Sequence, residues 1–106
     1  MSTRRIAAID GAGRGTVIEE AIETPAPGQV RVRVEASLIS PGTELGRVPA
    51  MREKPDVDAA PRTFGYANAG TVDAVGEGVG DLCQVGHRVA CMGAGYALHA
   101  DVAVVP

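Results

Sequence analysis

The sequence predicts a small, mainly β domain, and three observations carry that expectation. Gln29–Ala36 alternates, with Val30, Val32 and Val34 on one side and Arg31, Arg33 and Glu35 on the other, the signature of a strand with one solvated face. Apolar stretches recur roughly every 8–15 residues between turns rich in glycine and proline, a spacing that suits a small barrel or sandwich. The core must also be aliphatic: the chain is 45% hydrophobic but has no Trp, and Phe64, Tyr66 and Tyr96 are its only aromatic residues. At 106 residues it fits a single domain, residues 1–106, around one core.

Taken in order, Arg5–Asp10 is a short apolar strand and Gly11-Ala-Gly-Arg-Gly15 a turn. Residues 16–24 fit a strand or a short helix by period alone, and Pro25-Ala-Pro-Gly28 ends them. After Gln29–Ala36, Ser37–Ser40 extends the strand into Pro41-Gly42, and Thr43–Val48 is read as one helical turn. Residues 49–63 contain Pro49, Pro55 and Pro61 among charged residues and are expected to form a long, mobile surface loop. Tyr66–Val75, His87–Met92 and Ala97–Val105 follow as strands, separated by Gly76-Glu-Gly78, Gly80-Asp81 and Gly93-Ala-Gly95. The last of these is expected to be a hairpin or bulge.

Composition excludes several classes of function. Net charge is −3, and the bases form no stripe, so nucleic acid finds no electrostatic footprint. No apolar run approaches a membrane span, and residues 1–5 lead into no signal-peptide apolar region. Cys83 and Cys91 stand eight residues apart, which fits neither a disulfide framework nor a Cys-x-x-Cys metal site. They are read as reduced core thiols of a cytoplasmic protein.

Four constellations invite a chemical reading. Gly11-x-Gly13-x-Gly15 resembles a dinucleotide fingerprint, but its third glycine falls one position early and the following segment meets Pro25 after only nine residues. A hairpin turn is the simpler reading. Gly93-Ala-Gly95 is weaker still. Ser40-Pro-Gly-Thr-Glu44 is a polar knot at a strand end, suited either to lining a pocket or to capping the short helix through its hydroxyls. His87 and His99 have no second His or Cys at ligand spacing, so each is read as structural or solvated.

Four segments in order then carry a resemblance. They are Pro25-Ala-Pro-Gly-Gln-Val-Arg-Val-Arg-Val34, Ala36-Ser-Leu-Ile-Ser-Pro-Gly-Thr-Glu44, Gly65-Tyr-Ala-Asn-Ala-Gly-Thr-Val72 with Val75-Gly-Glu-Gly-Val79, and Val85-Gly-His-Arg-Val-Ala90 running to Tyr96-Ala and Val104-Val-Pro106. Together they resemble the N-terminal GroES-like domain of the medium-chain dehydrogenase/reductase superfamily, of alcohol dehydrogenase and quinone oxidoreductase type. The resemblance implies a partly open β-barrel with one or two short helical turns. It makes residues 16–24 a strand and Gly11–Gly15 a hairpin turn. It also puts Pro41 where zinc members carry a Cys ligand, Tyr66 at their His position and Ala67 at their Glu position. Proline offers a metal no donor, so no zinc is expected. Thr43 matches the hydroxyl that passes the substrate proton outward in alcohol dehydrogenases, and Glu44 matches the neighbouring acid.

Ser40, Thr43 and Tyr66 are therefore the candidate catalytic residues around a small-molecule substrate. Tyr66 takes the role of hydrogen-bond donor to a carbonyl oxygen. The chain stops at Pro106, where the family's crossover toward its nucleotide fold begins. The resemblance thus implies that NAD or NADP is held by a nucleotide-binding domain or chain outside these residues. The expected state is a fragment or separate domain of a zinc-independent oxidoreductase, with a stand-alone small-molecule- or partner-binding domain as the alternative. An apolar patch near Ile39, Pro41 and Leu45 is expected to promote self-association.

Overall fold

A computed structural model describes residues 3–106. Chain order is β1 (Thr3–Ile9), β2 (Gly15–Ala21), β3 (Val30–Ser37), α1 (Pro41–Glu44), α2 (Val48–Glu53), β4 (Arg62–Thr63), β5 (Ala67–Val75), β6 (Arg88–Met92) and β7 (Val102–Val105). The architecture is mainly β, as expected. The first two strands pair antiparallel from Thr3↔Ala21 to Ile9↔Gly15, so the glycine run between them is a hairpin turn. Asp10 builds it: Oδ1 accepts the N–H groups of Ala12 at 2.9 Å and Arg14 at 3.0 Å. The Arg14 amide and these other donors hold the Asp10 carboxyl below its ordinary range. With β2 following directly, the turn's amides are spent on the hairpin itself. The ambiguous segment 16–24 is strand as far as Ala21.

Two open sheets result, one of order β2-β1-β4 and one of order β6-β5-β3-β7, all neighbours antiparallel. An isolated bridge, Ile6↔Ala100, ties β1 to the segment just before β7. The core of the second sheet is small and aliphatic: Val32, Val72, Cys91, Ala97, Ala103 and Val105, with Val30, Val34, Cys83 and Val89 packed against it. Both cysteines are free. Burial, and secondarily the nearby Cys83, pushes the Cys91 thiol above its ordinary value. Among the described residues no helix is long and apolar enough to cross a membrane.

The fold corrects five expectations. Residues 49–63 are not one irregular loop, because they contain part of α2 and all of β4. Pro49 sits in the first turn of α2, where its missing N–H is no loss. The segment is fastened to the first hairpin by Arg52 Nε donating to the Gly13 carbonyl at 3.1 Å and Asp56 N–H donating to the Gly11 carbonyl at 3.0 Å. The earlier helical turn begins at Pro41 rather than Thr43, again with proline at its start. The strand β3 ends at Ser37, short of Ser40. Finally, the expected strand 97–105 is β7 only from Val102. Ala97 N–H donates to the Gly93 carbonyl and Leu98 N–H to that of Tyr96, so this stretch turns on itself. Gly93-Ala-Gly95 is a turn but no hairpin, because β6 pairs with β5 and β7 with β3.

Candidate functional site

The site starts from a break in an alternating pattern. Carried forward, the Val30/Val32/Val34 side would include Ala36 and leave Ser37 facing out. Register along β3 and β5 runs Val32↔Val72, Arg33↔Thr71, Val34↔Gly70, then Ala36↔Ala69 and Ser37↔Asn68. Glu35 is the extra residue of a β-bulge, and one extra residue reverses the facing of every side chain after it. Glu35 and Ala36 both stay on the solvated side, where Glu35 accepts from Thr71 Oγ1 and Arg88. Ser37 swings to the face it shares with buried Asn68.

There Ser37 meets His99, whose Nδ1 lies 2.6 Å from Ser37 Oγ. The other ring nitrogen, Nε2, lies 2.8 Å from Glu44 Oε1. The second oxygen of Glu44 accepts the backbone N–H of Ser40. Both partners are withdrawn from water, with side-chain exposures of 6% for His99 and 4% for Glu44. The Phe64 ring meets the imidazole edge-to-face, with centroids 4.8 Å apart. Gly65 lets the two backbone segments close up: its φ is +127°, and a Cβ there would lie 2.8 Å from the backbone nitrogen of His99. Asn68 Nδ2 holds the carbonyl of Leu98 at 2.9 Å, fixing the backbone beside His99, while Asn68 Oδ1 is buried without a partner. Ser37 and Asn68 also line a shallow groove of about 280 Å³ with Ala36, Leu38, Ala67 and Ala69.

Of the residues singled out in sequence, Ser40 is half-buried at the N-terminus of α1, and its side chain makes no capping hydrogen bond. Capping by hydroxyls is thus replaced by the Glu44 carboxylate reaching back to the Ser40 N–H. Thr43 is exposed on α1, and Tyr66 is half-buried just before β5, with its carbonyl accepting Gly93 N–H. The fold therefore joins Ser40 to Glu44. Among the described residues, neither Thr43 nor Tyr66 hydrogen-bonds to the Glu44–His99–Ser37 cluster. His87 is exposed and accepts Gln84 N–H at its own turn.

His99 and Ser37 are what sequence reasoning missed. His99 stands not in a strand but in the turned segment before β7, and its carboxylate partner is 55 residues away, so no local spacing could reveal the pair. The usable signal was the presence of one acid in the polar knot and one histidine in an apolar stretch, each needing a partner if buried.

A family model described as the alcohol dehydrogenase GroES-like domain matches residues 26–104. No curated protein matches in sequence. Among solved structures, the chain is similar to 2-haloacrylate reductase, with 27% identity, a TM-score of 0.70, and coverage of 96% of this chain and 29% of that one. An alcohol dehydrogenase superfamily protein from Novosphingobium aromaticivorans gives 29% identity, a TM-score of 0.68 and coverage of 96% and 32%. A short chain alcohol dehydrogenase from E. coli CFT073 complexed with cofactor NADH gives 27%, 0.66, and coverage of 100% and 37%. The chain thus spans about a third of the length of these structures.

Proposed function

Because the chain belongs to the family of alcohol dehydrogenase GroES-like domains, we propose that it is the substrate-side domain of a zinc-independent, NAD(P)-dependent oxidoreductase. The reaction is reduction of a carbonyl or enone, or oxidation of the corresponding alcohol. Family membership carries the redox reading. Its similarity to a reductase and to an alcohol dehydrogenase complexed with NADH supports a nicotinamide as the hydride carrier.

Zinc independence rests on the chemistry of the available donors. Zinc needs several N, S or O⁻ ligands near 2.0–2.3 Å. Pro41, at the family's Cys position, has none. The nearest acid and histidine already satisfy each other: both nitrogens of His99 and both oxygens of Glu44 are engaged within the chain. Cys91 is committed to the core. These residues do not fit the metal.

For the nicotinamide, the Gly11–Gly15 turn is a poor cradle, because its Ala12 and Arg14 amides are held by Asp10 and no helix aims N–H groups at a pyrophosphate. The cofactor is therefore assigned to a nucleotide-binding domain, and this chain supplies the opposite wall. Half-buried Tyr66 donates a hydrogen bond to the substrate oxygen as negative charge develops, with Ser40 and Thr43 as further polar groups of the cleft.

Two measurements on purified chain test the assignment together. Elemental analysis without chelator is expected to find no stoichiometric zinc, and an NADPH fluorescence titration no saturable binding in the micromolar range. One tightly held zinc per chain overturns zinc independence. Saturable NADPH binding overturns the division of labour between this domain and the nucleotide fold.

A further inference from the structure

The Glu44–His99–Ser37 chain has a direction. An ionised carboxylate only accepts hydrogen bonds, and Glu44 Oε2 already accepts from Ser40 N–H. With Oε1 at 2.8 Å from Nε2, the proton on neutral His99 lies on Nε2. That leaves Nδ1 as a lone pair, 2.6 Å from Ser37 Oγ, so Ser37 is the donor. A hydroxyl donating to an imidazole that is itself oriented by a buried carboxylate is the general arrangement of an activated serine. Three further contacts fix it: the Phe64 ring edge, the Gly65 backbone approach, and Asn68 Nδ2 on the Leu98 carbonyl.

Among the described residues one hydroxyl lines the adjoining groove, that of Ser37, where the Glu44–His99–Ser37 series ends. The other lining residues are three alanines, Leu38 and Asn68. Asn68 Oδ1 is buried with no donor among the described residues, and such orphaned acceptors are rare in folded chains.

We infer that Glu44, His99 and Ser37 form an acid–base relay that opens on this groove and serves a small apolar ligand whose oxygen gains or loses a proton, such as an alcohol, an enol or the oxyanion of a reduced carbonyl. In one direction the ligand O–H breaks and its proton goes to Ser37 Oγ as Ser37 passes its own to His99 Nδ1. Ser37 ends as it began, and the imidazolium rests against the Glu44 carboxylate. In reverse, the imidazolium returns the proton through Ser37 to an oxyanion. No electrons change hands. The inference deepens the oxidoreductase reading and rests on it for what happens at carbon, but the proton step needs no nucleotide.

The test therefore uses the chain alone, with methanesulfonyl fluoride as probe. Attack by Ser37 forms the Oγ–S bond, breaks S–F, releases fluoride and leaves the proton on His99 Nδ1. Mass spectrometry is expected to find the label on Ser37 ahead of Ser40 and Thr43. His99→Gln should slow labelling by roughly tenfold or more, since a general base contributes about 10²–10⁴-fold, while His87→Gln, at an exposed histidine outside the cluster, leaves it unchanged. Labelling spread evenly over hydroxyls, or unaffected by His99→Gln, overturns the relay.

Should His99→Gln fail to fold, ¹⁵N NMR of the wild-type imidazole decides. Nε2 is expected to be protonated and Nδ1 unprotonated, with Nδ1 alone shifting in Ser37→Ala; the opposite tautomer overturns the relay. A zinc or NADPH result that overturns zinc independence or the division of labour leaves the labelling outcome intact, so the two failures are separable.

Discussion

A carboxylate with 4% of its side chain exposed needs donors on both oxygens, and Glu44 has one on each, from His99 Nε2 and Ser40 N–H. The arrangement is reciprocal, because the same carboxylate satisfies two donors that are otherwise shut away from water. Removing it therefore exposes the asymmetry of buried hydrogen bonds: an unmet group loses far more than a formed bond contributes. Glu44→Ala is expected to lower unfolding stability by roughly 2–4 kcal/mol, one desolvated donor at each end accounting for about 1–3 kcal/mol. Glu44→Gln keeps the shape and one acceptor, and should cost about half as much. Urea titrations of the two variants measure this; Glu44→Ala within about 0.5 kcal/mol of wild type, the range of an ordinary surface change, would show that water reaches the site. Neither partner was legible as a pair in sequence, for a physical reason. Hydrogen-bond complementarity has no period, and 55 residues separate the two.

At the scale of elements, what was legible had a period or a stop signal. The alternation of β3 gave its buried face, with Val32 fully enclosed, and the glycine and proline runs marked the turns. What was not legible depended on one element leaning on another. Nothing in Glu35 announces a bulge, yet that residue sets the facing of Ser37 and with it the site. The segment after Val48 reads as loop by its prolines, yet it is fastened across the first hairpin. Gly11 is where that fastening is closest: a Cβ there would lie 1.8 Å from the Asp56 carbonyl oxygen and 3.0 Å from Ala59 Cβ. Because the obstacle is backbone rather than a flexible side-chain tip, Gly11→Ala should lift the segment off the hairpin. Amide exchange reads this directly. The Asp56 N–H, bonded to the Gly11 carbonyl, is expected to be protected in the wild type and to exchange at least roughly tenfold faster in Gly11→Ala, a local opening made easier by about 1.4 kcal/mol. Equal Asp56 exchange in the two proteins would mean the segment is not held there.

The whole molecule is two open sheets around a thin aliphatic core, and such a core leaves apolar side chains over. Leu38 is 64% exposed and Ile39 51%, consecutive residues where the chain leaves β3 for α1, beside the groove that Leu38 also lines. Pro41 follows, exposed as well, whereas Leu45 is half-buried against the end of α1, so it is a poorer probe of this surface than its composition suggests. Adjacent exposed apolar residues at a strand end carry no single-chain role in stability; withdrawing them from water is worth roughly 25 cal/mol per Å² to whatever covers them. On the reading proposed above, that cover is a nucleotide-binding domain. In a preparation of this chain alone, another copy is the available surface. Sedimentation velocity over a concentration series is therefore expected to show reversible self-association, and Ile39→Glu to weaken it by roughly tenfold, the effect of about 1.4 kcal/mol at one contact. Leu45→Glu is the control that separates surface from core. It should unsettle α1 and lower stability, because it places a charge in a half-buried position. A wild type that sediments as a monomer throughout, indistinguishable from Ile39→Glu, would mean Leu38 and Ile39 are tolerated as they stand and the strand end is no docking surface.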